Sequence, residues 1–372
     1  MKTRGAIIRQ APGKFEVVDL DVDDPRQGEI RVKLVASGMC HSDDHLVTND
    51  MPVATYPFAG GHEGAGIVES VGPHTTGFEV GDKVIFSFLP ACGRCRWCAS
   101  GHQSLCDLGA TLLVGSRFDD PTSFRIRLED GTPVGQMCGI STFCEYTTVS
   151  VASAIKVPDD TPLEAACLLG CSVGTGWGSA VNAGEVRPGD TVIVMGIGGI
   201  GANAVQGAAH AGAANIIAVD PVEFKRESAQ SLGATHAVSS MEEASEIARG
   251  FTNGQGADVA IVTVGIIKGE HVAQAFSSIR KMGTVVVTAL GNLADVGVPI
   301  SLGELTLFAK KLKGAMFGDS NPSSDILRML DLYRAGQLKL DELVTTRYSL
   351  EDINTGYEDM RAGKNIRGVI VY

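Results

Sequence analysis

The stretch Thr191-Val192-Ile193-Val194-Met195-Gly196-Ile197-Gly198-Gly199-Ile200-Gly201 decides the fold. Its first five residues are a short apolar run, rich in β-branched side chains, as in a buried strand. The next six match G-x-G-x-x-G, and the Ala-rich run Ile200–Ala213 reads as a helix. Such a glycine pattern is weak alone, but between a strand and a helix it marks a dinucleotide-binding turn. Gly196 makes the tight turn, Gly198 lets backbone approach a pyrophosphate, and Gly201 permits close helix–strand packing. Gly199 and Ile200 open the helix, whose free N–H groups face the phosphates. Asp220 closes the next strand, Asn215–Val219, where a ribose-binding acid belongs. A carboxylate there accepts hydrogen bonds from ribose hydroxyls and repels a 2′-phosphate, which favours NAD over NADP. Lys225 lies within reach of the same ribose.

Toward the C-terminus the alternation continues. Helices are expected at Glu223–Leu232, Glu242–Phe251 and His271–Arg280, and strands at His236–Val238, Asp258–Val264, Thr284–Leu290 and Leu312–Phe317. Six strands alternating with helices imply an α/β unit with a parallel, doubly wound sheet. Toward the N-terminus the composition changes near Pro162. Ile30–Val35, Ala65–Val71 and Lys83–Phe88 read as strands between Gly and Pro turns, so this half is β-rich. Arg117–Gly135 reads as a long polar loop with room for a hairpin, and the tail ends in an apolar strand, Arg367–Tyr372.

The whole chain has 372 residues, which suits two or three domains. Its net charge of -12 argues against nucleic-acid binding. No apolar run is long enough to span a membrane. Lys2, Arg4 and Arg9 flank too short an apolar core for a secretory leader, so a cytoplasmic location is expected.

Four of the nine cysteines, Cys92, Cys95, Cys98 and Cys106, crowd into one short segment. Four thiolates at this spacing form a closed tetrahedral zinc site, which is structural because no position is left for substrate. Three further elements carry chemistry: Cys40-His41-Ser42-Asp43-Asp44-His45, Gly61-His62-Glu63, and Cys171 within Gly170–Gly176. Spacing alone does not show that they meet.

These motifs together resemble the zinc-containing medium-chain alcohol dehydrogenases over essentially the whole chain. The resemblance implies a GroES-like, β-rich catalytic domain (1–172 and 318–372, with the zinc lobe at 92–106) and a Rossmann NAD-binding domain (173–317). It implies two zinc ions per subunit, one structural and one catalytic, the latter held by Cys40, His62 and Cys171. That Cys₂His ligand set, with an open fourth position, is already established for alcohol dehydrogenases. Glu63 would sit behind the metal, and Asp43 would fix the His62 ring. Thr175 would lie near the nicotinamide, and Arg367 and His41 near the pyrophosphate. Phe88, Met137 and Cys138 would line a channel for an apolar alcohol. In the implied reaction zinc acidifies the alcohol hydroxyl. Ser42 accepts its proton and passes it through the cofactor ribose to His45 and then solvent. Hydride goes to the nicotinamide, and an aldehyde is left. A homodimer or homotetramer is implied.

Two departures refine this. His41 stands where many relatives carry Arg, so its grip on phosphate should be weaker. Ala110 stands where glutathione-dependent formaldehyde dehydrogenases usually carry Arg, which weakens that alternative, although Arg117 is close enough to keep it open. The nearest style is that of the actinobacterial nitrosodimethylaniline-dependent, mycofactocin-associated alcohol dehydrogenases, which implies bound NAD reoxidised in place by a small redox carrier. A non-catalytic NAD-binding redox sensor is the alternative of another class, and the intact ligand set and Ser42 speak against it.

Overall fold

A computed structural model describes residues 1–372. The chain divides into two compact units: residues 1–171, 321–334 and 340–372 form the first, and 172–320 with 335–339 the second.

The first unit is built on β structure. Lys2–Ile8, Glu16–Val22, Ile126–Arg127, Pro133–Gln136 and Phe58–Ala59 close a small barrel. The expected hairpin is present inside the 117–135 segment, where Ile126 pairs antiparallel with Val134. A seven-stranded sheet is centred on Glu29–Gly38, which pairs with Glu63–Val71, Tyr146–Ser150 and the C-terminal strand Arg367–Val371. Almost every residue of Glu29–Gly38 is buried, because the strand is covered on both faces. The last strand of the chain thus lies beside one of the first, and Arg367 enters the middle of the unit.

The second unit holds a six-stranded, wholly parallel sheet. Its order is His236–Val238, Asn215–Val219, Thr191–Met195, Ala257–Val262, Ile279–Val287 and Lys311–Gly314. The central strand Thr191–Met195 is buried throughout, as its unbroken apolar run requires. The helix Gly199–His210 follows directly.

Among the boundaries that differ from expectation, two have a visible local cause. The helix expected to reach Arg280 ends at Ser278, and a strand begins at Ile279, earlier than Thr284. There the Arg280 side chain bonds Asp258 on the neighbouring strand, which draws the chain into the sheet. The strand expected to reach Phe317 stops at Gly314, because Phe317 and Gly318 take left-handed backbone angles (φ 54° and 61°) that end pairing. No helix is long and apolar enough to cross a membrane.

Candidate active site and metal centres

Cys40, His62, Glu63 and Cys171 converge in the first unit, with one ligand atom of each within 4.8 Å of the others. All four are buried. Cys40 is the N-cap of the helix His41–Thr48 in extended conformation, and its side chain makes no cap bond. A hydrogen bond with Cys171, and then the charge of His62, hold the Cys40 thiol well below its usual range. The same Cys40–Cys171 bond, then burial, pushes the Cys171 thiol up.

Asp43 organises the imidazole. Its Oδ1 accepts from the Gly61 N–H at 2.8 Å, and its Oδ2 lies 3.1 Å from His62 Nδ1. Burial works to lower the His62 pKa, but Asp43 and Cys40 outweigh it and raise it well above the usual value. The other ring nitrogen, Nε2, is buried with no hydrogen-bond partner. An orphaned nitrogen beside two thiols and a carboxylate is what a soft cation site looks like when the donor set is complete. These residues fit a zinc ion.

Glu63 receives a hydrogen bond from Arg367 Nη2 at 2.7 Å, and burial pushes its carboxyl up to about 7 against that pull. Gly38 makes room for this pair, since a Cβ there would stand 2.4 Å from Glu63 Oε2 and 3.0 Å from Arg367 Nη2. Arg367 is 3% exposed. The resemblance implies a place for it near the pyrophosphate; one end of its guanidinium is held by Glu63 and its Nε has no partner.

The helix His41–Thr48 also carries His41, Ser42 and His45. Cys40 Sγ is 3.8 Å from Ser42 Oγ. His45, which the resemblance implies conducts the proton on to solvent, is 2% exposed, and its Nδ1 faces Asp50 Oδ2 at 3.3 Å. The His41 and His45 rings stand 5.4 Å apart. The Phe88 ring meets His62 edge-on at 5.9 Å, and Met137 and Cys138 are buried in the same apolar cluster. Burial pushes the Cys138 thiol up to about 12, so it behaves as an apolar lining group.

Arg117 is not available to a substrate. It is 2% exposed, and its guanidinium bonds Glu29, Asp23, Ser123 and the Phe124 carbonyl. The basic group that kept a glutathione adduct open is therefore internal.

The second cysteine group is also complete, with the sulfurs of Cys92, Cys95, Cys98 and Cys106 within 4.8 Å of one another. Backbone N–H groups of Cys92, Cys95 and Cys98 donate to sulfurs within the group at 3.3–3.4 Å. Those donors stabilise thiolates, and the Cys98 N–H foremost lowers the Cys95 pKa to about 6. This donor set, too, fits zinc.

In the second unit the glycine turn has the shape its sequence requires. Gly196 has φ 93°. A Cβ on Gly201 would stand 1.8 Å from the Gly196 carbonyl oxygen, whereas one on Gly198 would meet nothing within 4 Å. One glycine is thus needed for packing, and the other leaves open space where a phosphate can approach. Asp220 Oδ2 accepts from the Ile197 N–H at 2.8 Å and Oδ1 from the Val222 N–H at 2.9 Å. Asp220 therefore also braces the turn. Lys225 is half-buried on the next helix and Thr175 is buried on Ser172–Gly178. Two residues here escaped sequence reasoning. Thr263 donates to the Gly196 carbonyl at 2.6 Å, and Arg226 donates to the Asp220 and Pro221 carbonyls at 2.9 Å. A polar residue closing a strand and a basic residue in a helix's first turn were the only signals for them.

Residues 26–159 match the model of the alcohol dehydrogenase GroES-like domain, and residues 199–334 that of the zinc-binding dehydrogenase domain. An "NDMA-dependent alcohol dehydrogenase" of Amycolatopsis methanolica is 55% identical over 372 residues, covering 100% of this chain and 99% of the relative. The chain belongs to the zinc-containing medium-chain alcohol dehydrogenases. Among solved members, the alcohol dehydrogenase zinc-binding domain protein of Burkholderia ambifaria superposes with TM-score 0.93 at 33% identity, covering 100% of this chain and 99% of that one. Benzyl alcohol dehydrogenase of Acinetobacter calcoaceticus follows with TM-score 0.90 at 30% identity and the same coverage. As a member of this zinc-dependent, NAD-linked family, the dehydrogenase oxidises small alcohols.

Proposed function

We propose that the protein oxidises primary, apolar alcohols to aldehydes at the Cys40–His62–Cys171 centre, with hydride passing to an NAD that stays bound and is reoxidised in place by a small redox carrier. The reading rests on the buried Cys₂His set with its orphaned Nε2. Carrier dependence is supported by the 55% identity to the NDMA-dependent enzyme. The benzyl alcohol dehydrogenase likeness and the apolar lining of Phe88, Met137 and Cys138 support the substrate class.

Zinc bound there supplies Lewis-acid chemistry that acidifies a substrate hydroxyl. The protein's residues do the rest. Cys40 and Cys171 provide negative charge, and Asp43 turns His62 so that Nε2 faces the thiols. Ser42 accepts the hydroxyl proton and His45 conducts it onward, a relay of a kind that contributes about 10²–10⁴-fold. Glu63, backed by Arg367, serves as a carboxylate close behind the ligands. Cys92, Cys95, Cys98 and Cys106 hold a structural zinc, and such thiolate ligands suit the reducing cytoplasm. A catalytic domain of residues 1–172 and 318–372 is supported by the first unit, which spans the same residues except 172, 318–320 and 335–339. In the second, Gly196, Gly198, Gly199, Ile200, Gly201, Asp220 and Lys225 receive NAD, with Thr175 near the nicotinamide; His41 and Arg367 are further proposed cofactor-binding residues.

Oligomer formation is supported by the second unit's open edge. Lys311–Gly314 is an edge strand paired on one side with Ile279–Val287, and Val296, Leu302 and Leu307 nearby in sequence are 94%, 74% and 81% exposed. An exposed edge with apolar neighbours invites a second copy.

The carrier reading is tested by desalting the protein, denaturing it and counting nicotinamide nucleotides released. About one per subunit is expected. A value near zero would replace this reading with an ordinary exchanging dehydrogenase.

A further inference from the structure

The helix His41–Thr48 does not simply stop; it turns back on itself. Asn49 takes a left-handed conformation (φ 71°, ψ 18°), the common way to end a helix, and the Met51 N–H returns to the His45 carbonyl at 3.2 Å. This reversal carries Asp50 over the last turn. There its Oδ2 accepts from the Thr48 hydroxyl at 2.6 Å and faces His45 Nδ1 at 3.3 Å. The two side chains differ in access: His45 is 3% exposed and Asp50 is 25% exposed. A proton on His45 therefore has a partly solvated carboxylate as its neighbour on the Nδ1 side.

We infer that Asp50 is a positioning residue of the proton route, fixing the His45 tautomer and forming its outlet to solvent. The inference rests on the proposed relay role of His45. The Thr48 hydroxyl foremost, and then His45, hold the Asp50 carboxyl below its usual range. As a carboxylate it only accepts, so Nδ1 carries the hydrogen and Nε2 is left to take the incoming proton. When Nε2 is protonated, the cation faces Asp50. The ring then releases the Nδ1 proton to Asp50 Oδ2 or adjacent water, so one proton enters and one leaves. Other charged or titratable groups here are His41, one turn back, and Asp44, which lies 3.9 Å from His41 Nε2 and pairs with Arg361 on the helix Ile353–Arg361. None of these contacts His45 Nδ1 as Asp50 does. Asp44 is committed to Arg361, which leaves Asp50 as the partner.

The test uses the full-length enzyme labelled at histidine, with the His45 signal assigned from His45→Gln. In Asp50→Asn the Nδ1–H tautomer of His45 should no longer be fixed, read from its ring-nitrogen chemical shifts, because an amide can donate as well as accept. Proton release during alcohol oxidation should slow about tenfold. Asp50→Glu should restore both. If Asp50→Asn leaves the tautomer and the release rate where they were while His45→Gln slows release, Asp50 has no such role and the relay stands. If His45→Gln itself leaves proton release unchanged, the relay through His45 is wrong and the inference goes with it.

Discussion

Asp43 uses each carboxylate oxygen on a different neighbour, the Gly61 N–H and the His62 ring. It thereby fixes both the loop before the ligand and the ligand's orientation. Asp43→Ala should weaken zinc at the catalytic centre about 10–100-fold, measured by competition with a chromogenic chelator. The bare Gly61 donor should also cost about 1–3 kcal/mol of stability. Unchanged zinc affinity would mean the ring is held by packing alone. At this scale the sequence is legible where a residue type is scarce and chemically committed. Cys40, His62 and Cys171 stand out, though only the family resemblance brings them together, since their meeting depends on strand pairings far apart in sequence. Asp50 is not legible. It looks like an ordinary polar residue until Asn49's left-handed turn brings it back against His45. Arg367 is half legible: its importance shows, but its burial against Glu63 follows from the final strand lying beside Glu29–Gly38.

At the scale of elements, the glycine turn allows a sharper separation of folding from binding than its motif suggests. Gly198→Val should leave the fold and melting behaviour nearly intact while abolishing NAD binding, because the added side chain enters open space that the proposal assigns to phosphate. Gly201→Val should disrupt the unit itself, because its Cβ would run into the Gly196 carbonyl. Thermal unfolding and nucleotide titration on both variants check this. Equal loss of stability in the two would refute the division of labour. The turn was readable because strand, glycines and helix occur in one continuous stretch. The end of the last strand of that sheet was not. Leu312–Phe317 is apolar and strand-like in sequence. The left-handed angles at Phe317 and Gly318 belong to a turn in which a Cβ at Gly318 would stand 2.4 Å from the Thr175 carbonyl oxygen, a tertiary constraint invisible to local pattern.

At the scale of the molecule, alternating elements after Pro162 and short strands before it made the fold class accessible, while the cysteine and glycine motifs made the family accessible. The proposed quaternary arrangement is not written in any motif; its support is the outer edge of Lys311–Gly314 and the exposed side chains of Val296, Leu302 and Leu307 in the second unit. Leu307→Glu should convert dimers or tetramers to smaller species in sedimentation velocity, with unfolding of the subunit otherwise little changed. An unaltered sedimentation profile would place the interface elsewhere. The account as a whole stands on the buried Cys40–His62–Cys171 set being a catalytic zinc centre distinct from the four-cysteine lobe. Its most direct test is the zinc content of purified wild-type and Cys40→Ser protein, with alcohol turnover read on the same samples. The account predicts about two zinc ions per subunit in the wild type, and about one in the variant, whose lobe stays filled while turnover is lost. A variant that keeps both ions, or that still oxidises alcohol with one, would contradict it.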